Sequence, residues 1–408
     1  MKKGHFMIPS INPFAPDFKD KAYELYEILR TDDPVHYTTQ VPFSNPTWII
    51  TRYDDAISLL KDKRLLKKTP VTFIEEQFSE DSLQSDWANL FNHMLNTDPP
   101  DHSRLRSLVQ KAFTPRMVEN LRPRIQDIAN QLLDQVVKNN QMDLIQDYAF
   151  PLPIIVISEI LGIPIEDRSQ FRHWSNAIIY AFNRPDRRKQ IIPEIVNFNH
   201  YLKELVAKRQ QHLQDDLISA LIQSSINSDK LSESEIYPMI FLLIIAGHET
   251  TVNLIGNGLF SLLQHPDQCE KLRNYPYYID TAIEEFLRYM SPVEFATNRW
   301  AAEEIHLHGK TIAKNDLVLI SLASANRDPT QFPHPNHLDI TRQKNEHIAF
   351  GKGIHFCLGA PLARLEGQIA IQTLLQRIPQ FELSVDRDQL EWQATFLMRG
   401  FKSIPIRF

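Results

Sequence analysis

The chain has 408 residues, 43% of them hydrophobic, and a formal charge of −6. It can bury a sizeable core, and its acidic balance without a basic stripe argues against a nucleic-acid binder. No repeat, low-complexity tract or Gly/Ser-rich linker divides it, so residues 1–408 are read as a single domain.

In chain order, Lys2 and Lys3 are followed by Pro, Asn and Asp instead of an apolar stretch, so no signal peptide is expected. Apolar spacing of three and four predicts helices over 17–29, 54–60, 102–112, 115–137, 153–161 and 193–211. Further helices are predicted over 232–263, 266–273, 277–290 and 360–377. Strand patterns are few and short, at 47–52, 305–308, 317–320, 381–385 and 403–407. The predicted fold class is mainly α with small β-sheets. The longest apolar run, 239–247, has nine residues. That is far short of the about 18 needed to span a bilayer. A soluble, cytoplasmic protein that does not enter a membrane is expected.

The helix over 232–263 opens with Ser232 and Glu235 at capping-box spacing. Pro238 conflicts with that start, because an interior proline lacks a donor and clashes with the preceding turn. A later start or a bend is expected. The apolar run that follows has no polar face, which predicts burial on all sides. Inside it lies Ala246-Gly247-His248-Glu249-Thr250-Thr251. A buried carboxylate needs a partner or a task. A threonine hydroxyl can bond its own helix carbonyl. Ala246 and Gly247 leave room for a small ligand. Two readings stand equal on these residues alone: Glu249 pairs with a distant base and Thr250 caps a kink, or the two do acid chemistry.

Residues 324–350 are rich in Pro, Asn, His and Asp, a long irregular segment of the kind that is usually functional. It leads into Phe350-Gly351-Lys352-Gly353-Ile354-His355-Phe356-Cys357-Leu358-Gly359. Three of the chain's 11 glycines fall here, which marks a loop with a shaped backbone. Pro361 suits the first turn of a following helix. A helix N-terminus favours a thiolate at Cys357. Cys269, the other cysteine, has no supporting cluster and is read as a buried, inert thiol. The two are too far apart in sequence, and too few, for a zinc pattern or a disulfide framework.

This loop, continued by Ala360-Pro361-Leu362-Ala363-Arg364, resembles the haem-binding signature of the cytochromes P450 in its bacterial form. The resemblance implies the P450 fold, with haem b between the long central helix and the cysteine-loop helix. It makes Cys357 the axial ligand of the iron, with Phe350, Gly351 and Gly359 shaping the loop against the cofactor. Thiolate ligation favours O–O cleavage. His102 and Arg106, four apart on one helix face, resemble the donors to the haem propionates, and Arg299 and His355 match the remaining two. Ala246 and Gly247 would lie beside the haem. Glu249 and Thr250 match the acid–alcohol pair that delivers a proton to dioxygen. Glu285 and Arg288, which alone would be an ordinary surface ion pair, match the family's structural pair. Arg342 is its third member, and the three would lock the irregular segment.

The family's pocket falls on 71–91, 178–182, 245–250, 293–297 and 396–398. Ile179, Phe182, Ile245, Phe295, Phe396 and Leu397 would make it apolar. Each could equally be core. The resemblance implies a small apolar organic substrate, O2, and a separate ferredoxin or flavodoxin as electron donor. A monomer is expected. Arg104, Lys111, Arg116 and Lys352 are candidates for a basic docking patch. The branch most resembled hydroxylates polyketide or macrolide products. Fatty-acid, terpenoid and steroid hydroxylases of the same family are the alternatives. A haem-thiolate enzyme without a redox partner and a non-enzymatic haem sensor also stand against the monooxygenase. The intact Glu249–Thr250 pair favours the monooxygenase.

Overall fold

The longest apolar pattern folds as one 32-residue helix, Glu233–Gln264. The Ser232 N–H donates to Glu235 Oε2 at 2.8 Å, closing the turn at its start. The helix runs through Pro238. The expected later start is therefore corrected: the cap and the buried flank hold the first turn despite the missing donor. In this computed structural model, residues 12–13, 15, 17–41, 46–68, 90–182, 190, 192–226 and 229–408 are described.

Helices Ala360–Arg377, Pro151–Ile160 and Ile279–Tyr289 pack on the long helix. Gly258 faces the first and the last of these. A Cβ there would lie 2.8 Å from the Ile371 side chain and 3.0 Å from the Phe286 ring, so a larger residue would make these side chains shift. By length and composition the long helix could cross a membrane, but 72% of its most apolar window is buried in the protein. It is a core helix.

Strands form small sheets around this helical body. The larger has five strands in the order Val35–Thr38, Thr47–Ile50, Leu317–Ile320, Arg299–Ala301 and Leu65–Leu66. Thr47–Ile50 pairs parallel with Leu317–Ile320, which joins the start of the chain to its last third. A three-stranded sheet pairs Pro405–Arg407 with both Glu382–Leu383 and Gln141–Asp143. Asp143 also caps the following helical turn, Leu144–Ala149, by accepting from the Ile145 and Gln146 N–H groups.

Several features depart from the sequence pattern, among them the unanticipated strands Val35–Thr38, Leu65–Leu66, Gln141–Asp143 and Arg299–Ala301. The pattern over 115–137 divides into Pro115–Asn120 and Arg122–Val136, because Pro123 has no N–H to continue the ladder. Helices Arg168–Phe182 and Leu217–Gln223 were not anticipated. Residues 276–278 form a separate tight turn before Ile279–Tyr289.

Candidate functional site

The cysteine loop is built from backbone hydrogen bonds. Cys357 N–H donates to Phe350 O at 3.0 Å, and Gly351 N–H to Ile348 O at 2.8 Å. Gly351 and Gly353 take φ of +71° and +76°, which other residues rarely adopt. At Gly353 a Cβ would also come within 3.0 Å of Leu60 O. The loop then enters helix Ala360–Arg377 with Pro361 in its first turn. Burial pushes the Cys357 thiol up. The Gly359 and Ala360 N–H groups and the Arg106 and Arg364 guanidiniums pull the other way. These groups would stabilise a thiolate bound to a cation.

Beside the sulfur, residues from four parts of the chain meet. His102 and Arg106 stand on helix Asp101–Ala112. Arg106 Nη2 donates to Phe356 O at 2.6 Å, tying that helix to the cysteine loop. The His102 and His355 rings lie 4.1 Å apart. Arg299 is buried, and its Nη1 donates to Thr297 O at 3.1 Å. Lys67, which sequence reasoning missed, is also buried, and its Nζ donates to Thr297 Oγ1 and Asn298 O. Burial, with Lys67 as the leading charge, pushes His355 down to about 2. Burial lowers Arg299 to about 10 against the pull of Asp98. Both ring nitrogens of His102 are buried without a hydrogen-bond partner. Clustered cations and orphaned imidazole donors call for anions, and the two carboxylates of a haem satisfy that need.

The long helix supplies the other wall. Residues 251–262 are all buried, yet Ala246 in mid-helix is exposed, and Ile245, Gly247 and Thr250 are partly open. The expectation of burial on all sides is corrected here: the helix has one open stripe. A Cβ on Gly247 would find nothing closer than Ile157 at 3.9 Å, so the stripe borders free space. Thr250 Oγ1 donates to Ala246 O at 2.8 Å, and Thr251 Oγ1 to Gly247 O at 3.2 Å. Two consecutive hydroxyls thus bond carbonyls one turn back. Glu249 is 7% exposed.

Helix Ile279–Tyr289 fastens the irregular segment with two adjacent carboxylates. Glu285 and Arg288 are both fully buried, at 2.7 Å. Glu285 also accepts from Arg342 Nε at 3.1 Å, Asn345 Nδ2 at 3.1 Å and the Asp339 N–H at 2.9 Å. Arg288 donates to the carbonyls of Asn326, Pro335 and His337. Glu284, also missed from sequence, accepts from Arg364 at 2.6 and 2.8 Å and from His347 at 3.0 Å. Arg364 in turn lies over the Phe350 ring, 4.6 Å from its centroid. One helix therefore clamps both the segment before the cysteine and the helix after it.

The pocket candidates divide. Ile245 is half-buried on the long helix, near the open stripe. Phe396 and Leu397 are half-buried, and Phe396 lies 6.4 Å from Phe295. Phe295 itself is fully buried beside Tyr26, which makes it a packing residue beneath the pocket candidates. Ile179 and Phe182 fall in helix Arg168–Phe182, but their side chains lie outside the described residues, as do residues 71–89. Of the basic candidates, Lys111, Arg116 and Lys352 are exposed, whereas Arg104 is paired with Glu235. Cys269 is buried in the core.

A cysteine presented by a hydrogen-bonded loop, a cationic cradle and an open helix stripe are what the haem-thiolate class of enzyme requires. The cytochrome P450 family profile matches residues 36–275 and 276–404. A cytochrome P450 of Bacillus subtilis (strain 168) is 51% identical over 391 residues, covering 96% of this chain and 95% of the relative. The structure of the bacillaene polyketide synthase cytochrome P450 PksS of Bacillus subtilis 168 superposes with a TM-score of 0.90 at 44% identity, covering 97% of this chain and 99% of that one. The structure of P450BioI with an acyl carrier protein bearing hexadec-9Z-enoic acid gives a TM-score of 0.86 at 41% identity, covering 96% and 99%. The chain belongs to the cytochrome P450 family, and it is a P450 monooxygenase.

Proposed function

We propose that this monooxygenase uses haem b to insert one oxygen atom from O2 into a small apolar polyketide-type metabolite. Electrons come from a separate ferredoxin or flavodoxin, and the protein works as a soluble cytoplasmic monomer. The observation that carries the chemistry is the open stripe at Ala246 and Thr250 in an otherwise buried helix. Cys357 Sγ would bind the iron, and His102, Arg106, Arg299 and His355 would hold the propionates. The haem, when bound, supplies the reduction and cleavage of dioxygen.

The chain's own residues manage the proton. Glu249 is buried in the helix immediately before Thr250, where it is read as the acid of the pair. Thr250 Oγ1 is fixed to Ala246 O, so its position beside the free space is set by the helix and its lone pairs remain available. The pair can pass a proton inward while the buried flank of the helix keeps bulk water out. Ala246 and Gly247 keep the space open. Half-buried Ile245, Phe396 and Leu397 offer apolar contact to a substrate.

The likeness to a polyketide-pathway P450 supports the substrate class. A fatty-acyl chain presented on a carrier protein is the second reading, favoured by the likeness to the carrier-bound P450. An optical titration of the ferric protein with polyketides, macrolides, steroids, terpenoids, free fatty acids and acyl carrier conjugates tests both. A saturable high-spin shift with a polyketide supports the first reading. A shift confined to fatty acyl ligands overturns it. Turnover that needs a reductase supports the monooxygenase, whereas turnover without one would overturn the electron-supply reading.

A further inference from the structure

Lysine is seldom fully buried unless its charge is answered. Lys67 is only 4% exposed. It follows the two-residue strand Leu65–Leu66, which pairs with Arg299–Ala301. That pairing sets Lys67 next to the segment carrying Arg299. Its ammonium donates to Thr297 Oγ1 at 2.6 Å and to Asn298 O at 2.7 Å. Arg299 Nη1 donates to the carbonyl of the same Thr297 at 3.1 Å. Two buried cations therefore converge on one residue.

The backbone of Lys67 is held just as firmly. Its N–H donates to both Asp98 carboxylate oxygens, at 2.9 and 3.1 Å. The Asp98 carbonyl accepts the His102 N–H at 3.0 Å, at the start of the helix carrying His102 and Arg106. Asp98 thus fastens Lys67 to the propionate helix, while Thr297 fastens it to Arg299. Both partners of Nζ are neutral oxygens, and they occupy two of its three N–H groups. Among the described residues, Nζ makes no ion pair. A buried ammonium with a spare donor, whose nearby carboxylate, Asp98, is bonded to its backbone N–H, can take a further anion. Burial and the nearby Arg299 charge hold Lys67 well below its ordinary value, and the Asp98 charge offsets only part of this.

We propose that Lys67 is a fifth cationic or imidazole donor to the haem carboxylates, sharing one propionate with Arg299. The inference rests on the reading that this cradle holds haem. It also assigns Thr297 and Asn298 a role: they aim the ammonium and join the cradle to the segment 293–297 beside the pocket candidates.

The test compares wild-type, K67Q, K67R and T297V holoproteins. Two quantities are read: haem transfer to excess apomyoglobin and the ferric/ferrous midpoint potential. A hydrogen bond to a charged group is worth enough to speed haem loss from K67Q by about tenfold or more. Removing a positive charge beside the haem favours the ferric state, so the potential of K67Q should fall. K67R should recover most of both effects, and T297V should leave the potential near wild type. Wild-type haem loss and potential in K67Q would overturn the proposal. So would a T297V variant that reproduces K67Q in full, since Lys67 would then be a tether for residues 297–298 alone. If K67Q yields no holoprotein, K67R carries the test, because its propionate-bending bands in resonance Raman spectra should move. Unchanged bands would overturn the proposal. A wild-type protein without a thiolate–haem spectrum would overturn the haem reading itself. An intact spectrum with an inert K67Q overturns the role of Lys67 only.

Discussion

Glu284→Gln tests how the cysteine loop is held. Glu284 receives two hydrogen bonds from Arg364, on the helix after the cysteine, and one from His347, in the segment before it. The Ala349 N–H donates to His347 Nδ1, which leaves Nε2 carrying the proton toward Glu284. Burial alone would raise the carboxyl, but the Arg364 and His347 bonds outweigh it and bring it from 4.5 down to about 2. At about 1.4 kcal/mol per pH unit this amounts to about 3 kcal/mol at neutral pH. The carboxylate is 28% exposed, and solvent screening reduces the figure to on the order of 2 kcal/mol.

The sign follows from the lowered value. Above the unfolded value of 4.5 the carboxylate is ionised in both states and its contribution is complete. As pH falls toward 2, the unfolded state takes up the proton first and the contribution is lost. Urea unfolding of wild type and E284Q, followed by the Soret band and far-UV circular dichroism, reads the gap. The gap should be full at pH 6–7 and about half as large near pH 3. A gap that is absent at pH 7, or that stays constant down to pH 3, would refute the clamp.

Other perturbations follow from the same geometry. Thr250→Ala should keep the Soret band and ligand binding while product formed per electron consumed drops by about tenfold or more; unchanged coupling would remove Thr250 from proton delivery. Arg399→Met strands Glu294, which is fully buried and bonded to Arg399 at 2.9 Å and Tyr26 at 2.8 Å, and should cost about 3–5 kcal/mol in urea unfolding. The double variant R399M/E294Q should cost less than R399M alone, and equal losses would contradict that account. Gly353→Ala should lower the midpoint of thermal Soret loss more than Gly351→Ala does. Both positions have positive φ, but a Cβ meets Leu60 O at 3.0 Å in the first case and nothing nearer than 4.0 Å in the second.

The parts of the site carried by local spacing were legible in the sequence. Glycines crowded around Cys357, a proline one turn on, and a Glu–Thr pair in an apolar run are short-range signals. Lys67 and Glu284 had no such signal. A lysine beside Lys68, or a glutamate beside Glu285, reads as solvated surface until the chain is closed over it. Strand Leu65–Leu66 is two residues long and owes its existence to partners at 300–301, so no local pattern could announce it. Helix Arg168–Phe182 opens on polar residues, which weakened its apolar period. The space at Ala246 and Gly247 was announced by their small size, but the extent of the open stripe was not, because an apolar residue such as Ile245 beside a cofactor space looks the same as one in the core.

The sheet that joins Gln141–Asp143 to Pro405–Arg407 has a consequence for synthesis. Ile404 N–H donates to Asp143 Oδ1 across 261 residues of chain. At about 5–20 residues per second on the ribosome, Asp143 waits roughly 10–50 s for that partner. In the folded chain the same oxygen also accepts from the Ile145 and Gln146 N–H groups of its own helical turn, partners that are available as soon as that turn is made. The Asp143 side chain can therefore be satisfied locally before its distant partner exists, but the strand edge stays open until residues 404–407 leave the exit tunnel. A message truncated shortly before that point would release a polypeptide with nearly all of its helices and an unsealed edge, a natural substrate for chaperones and proteases.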